Sequence, residues 1–501
     1  MNETSAARRI DGKMLLLCGV AALLAGFVAV SPQSFWIDEA GTVDQAVMPT
    51  FSAWWGRLRW ENNSNLQLPL YLLYAWAWEK IFGHGEWALR AANLPWFVLG
   101  AASLGAAFRT LARPAGWAAL TLVLSSFAWF YLNDARPYAM QMGASCFVFA
   151  ALIALGAGPS TPQSERRWAA ALGVGSLVLA ASGMVAMMWL GAGLGALLLG
   201  LPWERTRRLL LHHLPTWGVT ALSLLALGVY YLWTMTLGAR ATVIATTDLR
   251  SILFVFYELL GFMGLGPGRL AIRTGGLATF KPYLGPLLVY GALLAWLGWL
   301  GLRNLRLAGS KRAVAWTITA MAGMWLLLLG IGMSSRFRVL GRHCTPLWPV
   351  LIFPVILGAS VAWQRRDRWS RIALLAFFTL SLVSCLTLRF SPRHGKDDYR
   401  GAAALAREWN GRGERVWWNA DLQSALYYAV PLASTPGEAG KVTMVDPPGP
   451  TFAATVPMPD VIIVSKPDVY DLRGAVAAFL TTNQFQVSTQ LPAFTIWRRK
   501  H

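Results

Sequence analysis

Residues 14–42 read MLLLCGVAALLAGFVAVSPQSFWIDEAGT, an uncharged apolar run that ends in an aromatic-flanked pair of carboxylates, Asp38 and Glu39. Such a run has the length and composition of a bilayer-spanning helix. Comparable runs return along the chain, at 316–331 with its flanks and at 372–388, separated by short arginine-rich loops. The chain of 501 residues is 55% hydrophobic and 14% charged, against roughly 25% charged for a soluble globular protein. Its 26 tryptophans suit two membrane–water interfaces. Arg8, Arg9 and Lys13 ahead of the apolar run give the outline of a signal peptide. No cleavage site follows before the next polar loop, so the run is read as a retained first span.

The formal charge is +20. In a soluble protein that excess would point to nucleic acid; here it lies in short loops between spans, and membrane topology accounts for it. Lys and Arg collect on the cytoplasmic side of such loops. Five basic loops stand out: Arg109 and Arg113; Arg166 and Arg167; Arg205, Arg207 and Arg208; Arg303, Arg306, Lys311 and Arg312; and Arg365, Arg366, Arg368 and Arg371. All five fall inside, with the N-terminus, if the short apolar stretches 68–82 and 252–264 do not cross but lie at the interface or re-enter. If both crossed, seven arginines would face out against Arg136 alone. The preferred spans are 14–31, 86–107, 116–132, 138–157, 168–182, 184–201, 214–236, 283–302, 313–332, 345–363 and 372–389, about eleven in all.

An odd count puts the C-terminus outside, with outer pieces at 31–85, 237–282, 334–343 and 390–501. The expected class is an all-α polytopic membrane protein, residues 1–389, with a small α/β domain outside the membrane over 390–501. Within that tail the pattern predicts helices over 397–409, 422–428 and 472–480, strands over 415–418 and 461–464, and a closing hairpin of 485–489 with 494–497. Cys18, Cys146 and Cys385 fall in spans and Cys344 near a surface, with no disulfide or zinc spacing.

The residues suited to chemistry gather on the outer face. Asp38 and Glu39 follow a span's end, where a carboxylate can take a proton from a hydroxyl; the plainer alternative is a solvated pair at a helix start. Arg136, in Asn133-Asp134-Ala135-Arg136-Pro137-Tyr138, breaks the inside trend, which calls for an anionic partner, lipid phosphate or a nearby carboxylate. Gly83-His84-Gly85-Glu86 with Arg90 opens a span. Arg336, Arg338, Arg342 and His343 form an outer basic cluster, for phosphate or for lipid headgroups. Arg269, Arg273 and Lys281 are weaker members of the same kind, and Glu258 is a lone acid in an apolar stretch. No P-loop or dinucleotide fingerprint is present.

In this order the motifs resemble those of the membrane glycosyltransferases of the C-type fold, bacterial relatives of the protein O-mannosyltransferase and aminoarabinose-transferase families. Asp38-Glu39-Ala40 resembles the acidic motif of the first outer loop, and Pro69-Leu70-Tyr71-Leu72-Leu73 the juxtamembrane helix after it. Gly83 to Glu86 with Arg90 resembles the next span's start, and Ala135-Arg136-Pro137-Tyr138 the following outer turn. Arg342-His343 ahead of Pro346 and Pro349 resembles a late motif. The likeness covers 30–150 closely and the remaining spans diffusely. Many relatives carry His-Pro-Pro-Leu where this chain has Gln67-Leu68-Pro69-Leu70, so that histidine's role has no carrier here.

The resemblance implies a polyprenyl-phosphate sugar donor, an acceptor hydroxyl on a glycolipid, glycan or protein, and inversion at the anomeric carbon. On that reading Asp38 and Glu39 are catalytic, while Arg136, Tyr138, Arg90, Arg336, Arg338, Arg342 and His343 hold the donor phosphate. A divalent cation has no clear ligand set. The alternatives are a lipid or polysaccharide transporter, whose polar residues should line a path through the bilayer; a polysaccharide ligase, with its arginines in a late loop such as 237–282; and a non-catalytic assembly factor. A periplasm-active reporter fused after His501 is expected to be active; activity of a cytoplasm-only reporter at that site would reverse the topology.

Overall fold

The computed structural model describes residues 12–61, 63–157, 161–237, 247–307, 311–334, 338–435, 437–445 and 456–499. Among these, eight helices are long and apolar enough to cross a membrane: Gly12–Ala29, Glu86–Thr110, Tyr138–Ala157, Leu214–Thr236, Arg269–Leu305, Thr317–Ser334, Gly341–Gln364 and Arg368–Phe390. A ninth is a broken span, Ala115–Val123 and Ser126–Leu132, bent by 57°. The other two expected spans are also helices, but weaker ones: Pro162–Ala181 opens on Glu165, Arg166 and Arg167, and Met184–Gly200 has 17 residues. The protein is a multi-pass membrane protein, and rows of exposed leucines such as Leu222, Leu225 and Leu232 face outward along Leu214–Thr236, as hydrocarbon permits and water does not.

The two awkward stretches are short helices, Pro69–Phe82 and Leu249–Leu259. At 1.5 Å per residue they reach about 21 and 17 Å, short of a core roughly 30 Å thick. The bend in the broken span has a local cause. Ser125 caps the second half, its hydroxyl accepting from the Ala128 N–H, and the Trp129 indole donates to the carbonyl of Val123 freed by the break. The second half thereby carries Phe127 and Tyr131 into the core.

Close packing rests on glycine where helices cross. A Cβ on Gly301 would lie 1.8 Å from the Pro354 carbonyl oxygen, and one on Gly358 would lie 1.9 Å from that of Leu297. Leu284–Leu307 and Trp348–Gln364 therefore meet backbone to backbone. All four cysteines are buried and free, Cys344 included, contrary to its expected place near a surface.

After Arg368–Phe390 the chain forms a five-stranded sheet of order β2-β1-β3-β5-β4, with β1 Val416–Asn419, β2 Thr443–Met444, β3 Val461–Ser465, β4 Phe485–Leu491 and β5 Phe494–Arg499. β1 runs parallel to β2 and to β3, and β5 pairs antiparallel with β3 and β4. Helix Tyr399–Gly411 is capped by Asp398, which accepts from the Gly401 N–H. The expected 472–480 helix begins later, at Ala475, because Gly474 takes φ +67°. Hydrogen bonds fasten this portion to the first outer loop. The Tyr428 hydroxyl accepts from the Phe35 N–H at 2.8 Å and lies 3.0 Å from Glu86 Oε1. Arg400 donates to Glu86 and to the Pro32 carbonyl, each at 2.6 Å, and Gln423 donates to Glu61 at 2.7 Å.

Gly358→Ala is expected to lower the thermal midpoint in detergent, by about 1–3 kcal/mol of overpacking. Gly323→Ala, where a Cβ meets nothing within 4 Å, is expected to be neutral or mildly stabilising. Equal midpoints would show that the Gly301–Gly358 crossing yields at no cost.

Candidate active site

Asp38 and Glu39 are consecutive residues in the first turn of helix Ile37–Ala46. A helix turns about 100° per residue, so the two carboxylates leave it in different directions, and their surroundings differ accordingly. Glu39 points inward and its side chain is 0% exposed. Arg90 grips it with two parallel bonds, Nε to Oε1 and Nη2 to Oε2, both 2.7 Å. The Ala135 N–H donates to Oε1 at 2.7 Å, and Lys396 Nζ to Oε2 at 2.9 Å. Burial works against its ionisation, but Arg90 and Lys396 outweigh burial and hold the carboxyl down at about 2.

This surrounding corrects two expectations. Arg90 spends all five N–H groups within the protein: the two on Glu39, two from Nη1 to the Ser31 and Gln33 carbonyls, and one from Nη2 to the Ser34 carbonyl. With no exposure and no donor left, it is not available to a phosphate. Glu39, equally saturated, has no lone pair facing the outer surface; it anchors the loop and does not stand beside Asp38 as a second proton acceptor. The Asp134 carboxylate joins the same network, accepting from the Trp36 indole at 2.7 Å with Lys396 at 3.6 Å. Burial, then Glu39 and Asp38, push its carboxyl up against the pull of Lys396.

Asp38 points outward with a side chain 28% exposed. Arg342 Nη1 donates to its Oδ2 at 2.5 Å. Burial tends to raise its pKa, but Arg342, Arg136 and Lys466 together hold the carboxyl below its ordinary value. Among the described residues Arg136 makes no ion pair; its Nη1 lies within donating distance of the Asp38 carbonyl, Thr42 Oγ1 and Asn65 Oδ1. Tyr138 lies beside both Arg136 and Arg342, with its ring against Tyr131 at 4.9 Å. Arg269 reaches the same place, pairing with Glu258, donating to the Tyr131 hydroxyl at 3.4 Å and stacking over Phe130 at 3.9 Å. Glu258 in turn accepts from the Gly341 N–H at 2.9 Å, which fixes the turn that carries Arg342. Among the described residues the buried Nε–H groups of Arg136, Arg269 and Arg342 have no partner, although buried donors are normally satisfied.

The late basic cluster separates. Arg342 joins Asp38. His343 Nδ1 accepts from the Leu340 N–H within its own turn. Arg338 is exposed, where Asp248 feels its charge, so the structure does not gather it with Arg342. Arg336 lies outside the described residues. Sequence reasoning missed Lys396, Lys466, Asn65 and the Trp36–Asp134 bond. The two lysines sit in a tail that reads as separate, and nothing local marks them. Among the described residues no group of His, Cys, Asp and Glu could hold a metal ion.

The arrangement is a carboxylate held below its ordinary pKa at one end of the spans, beside guanidinium donors unsatisfied among the described residues. This is the C-type fold of the membrane glycosyltransferases. No family model matches the chain, nor does any curated protein. Solved structures do. ArnT from Cupriavidus metallidurans in the apo state superposes with a TM-score of 0.53 at 15% identity, over 96% of this chain and 97% of that one. An oligosaccharyltransferase from Archaeoglobus fulgidus, tethered with an acceptor peptide containing the NVT sequon, superposes with a TM-score of 0.50 at 11% identity, over 91% of this chain and 69% of that one.

Glu39→Gln is expected to strand Arg90 and Lys396 as buried cations and to cost about 3–5 kcal/mol. Asp38→Asn should cost far less, because its partner is part-exposed. Because the folded-state pKa of Glu39 is depressed, its contribution is fully present above the unfolded value near 4.5 and is lost as pH falls through about 2. Thermal midpoints of the wild type and both variants between pH 2 and 7 check this; equal losses would remove Glu39 from its anchoring role.

Proposed function

We propose that the protein is a glycosyltransferase that moves a sugar from a polyprenyl-phosphate donor to an acceptor hydroxyl at the outer face, with inversion. The observation that carries this reading is a cluster of three arginines around Tyr131 and Tyr138, with Arg136 and Arg342 beside Asp38 and Arg269 paired to Glu258, each with a buried N–H that lacks an acceptor among the described residues. Unsatisfied buried guanidinium donors beside Tyr131 and Tyr138 suit a bound phosphate. The fold shared with ArnT and the oligosaccharyltransferase is in keeping with it.

In the proposed reaction the acceptor hydroxyl approaches Asp38 from outside. Its oxygen attacks the anomeric carbon while its proton passes to the Asp38 carboxylate. The bond from that carbon to the phosphate oxygen breaks, and polyprenyl phosphate leaves with the electron pair. The arginines stabilise the negative charge that grows on it. One displacement inverts the anomeric centre and needs one base. The low pKa of Asp38 keeps it ionised and ready to accept at neutral pH. Glu39 and Arg90 hold the loop; Arg136, Arg342 and Tyr138, with Arg269, form the phosphate site.

On this reading the body 1–389 lies in the bacterial inner membrane with its N-terminus cytoplasmic, and residues 390–501 cover the site from the periplasm. The acceptor is a glycolipid, glycan or protein of the envelope. The test is transfer from a polyprenyl-phosphate sugar by purified protein in nanodiscs. Asp38→Asn is expected to fold and to lose roughly two to four orders of magnitude in turnover, with donor binding retained. A folded Asp38→Asn protein with near-normal turnover would show that Asp38 is not the base.

A further inference from the structure

Six described non-glycine residues have positive φ. Five of them, Ala112, Arg366, Ala429, Gln484 and Ala493, follow helix ends or turn the final hairpin, where a left-handed residue is an ordinary stop. Lys466 is different. It follows β3, immediately precedes Pro467, and holds φ 39° and ψ 72°. A side chain makes that conformation costly, and a residue before proline is steered instead toward extended backbone. Strain of this kind persists where the surroundings impose it, and it collects at functional sites.

The strained turn delivers the side chain to the first outer loop. Lys466 Nζ lies 5.5 Å from the centre of the Trp36 ring. It pairs with Asp397, and its side chain is 9% exposed. Trp36 caps the helix that bears Asp38, and its indole is fixed on Asp134. The carboxyl end of β1 reaches the same place: Asp421 feels the charges of both Lys466 and Asp38. In a parallel α/β sheet the carboxyl ends of the strands are where ligands bind, and here those of β1 and β3 turn toward the acidic motif.

We propose that Lys466 is a positioning residue for Asp38: the C-terminal portion holds it in a strained turn so that its ammonium packs on Trp36 and faces the carboxylate. Its use in turnover rests on the transferase reading; its placement does not. The other charged or titratable groups around Asp38 are Arg342, His343, Arg136, Asp134 and Asp421; substitution at 466 leaves these in place and removes the ion-pair partner of Asp397.

The test needs no substrate. Full-length protein in nanodiscs is treated across a pH series with a diazo reagent that esterifies protonated carboxyls, and labelling of Asp38 is read by peptide mass spectrometry. Lys466→Met is expected to raise the pH of half-labelling by roughly half a unit to one unit, the effect of losing a nearby cation, and Lys466→Arg to restore it. Asp248, remote from this turn, is the internal control. Lys466→Gly and Lys466→Ala should both show the raised midpoint, with Gly the more heat-stable of the two because only the strain is relieved. An unmoved midpoint in Lys466→Met, or Lys466→Arg behaving like Met, overturns the positioning role. A Gly variant no more stable than Ala overturns the strain. If the midpoints move as expected while the wild type transfers no sugar, the placement stands and the transferase reading alone falls.

Discussion

A carboxylate buried to zero exposure is tolerable only when every lone pair is matched, and the ion pair of Glu39 with Arg90 is where this protein meets that condition. Much of the outer face is arranged around it. Arg90 ties together the carbonyls of Ser31, Gln33 and Ser34 while it holds Glu39, so the loop leaving the first span has one shape. The Ala135 N–H brings in the turn between the broken span and Tyr138–Ala157, and Lys396 brings in the tail. Asn93 strengthens the same turn by donating to the Leu132 and Asp134 carbonyls. Four segments distant in sequence thus meet at one charge pair.

The saturation of Glu39 contrasts with the state of its neighbour. Asp38 has one close charged partner and partial exposure, and the guanidiniums facing it keep unused donors. Leaving buried donors unmet costs stability, and on the proposed reading a bound phosphate would meet them. The rings of Phe130, Tyr131 and Tyr138 stack edge to face beside these guanidiniums.

The membrane body was legible in the sequence because bilayer burial is a local matter. A helix in hydrocarbon satisfies its own backbone, so its apolar length can be read from the residues that form it. The acidic motif and Arg136 were legible for a related reason, since charge placed against the topological trend stands out in one dimension. Four of the tail's strands followed from alternation and turns; the two-residue β2 did not, because so short a strand carries no alternation to read. Arg90 shows the limit: its position at a span's outer end marked it as noteworthy, but whether its donors face a ligand or the protein depends on carbonyls some 57 residues upstream. Arg338 and Arg342, alike in sequence, part company because Glu258 fixes the turn at Gly341 and directs only the latter inward.

The sequence by itself determined the hydrophobic spans, the gathering of charged motifs at the ends of spans and most of the small mixed sheet that follows them, because each depends on periodicity, length or charge sign within a short window. Only the tertiary structure decided which of two adjacent carboxylates is saturated and which is part-exposed, which arginines are consumed, and that Lys396 and Lys466 from the tail reach Glu39 and Trp36. Those outcomes depend on how many donors and acceptors from remote segments converge on one atom, and hydrogen-bond capacity is counted in three dimensions.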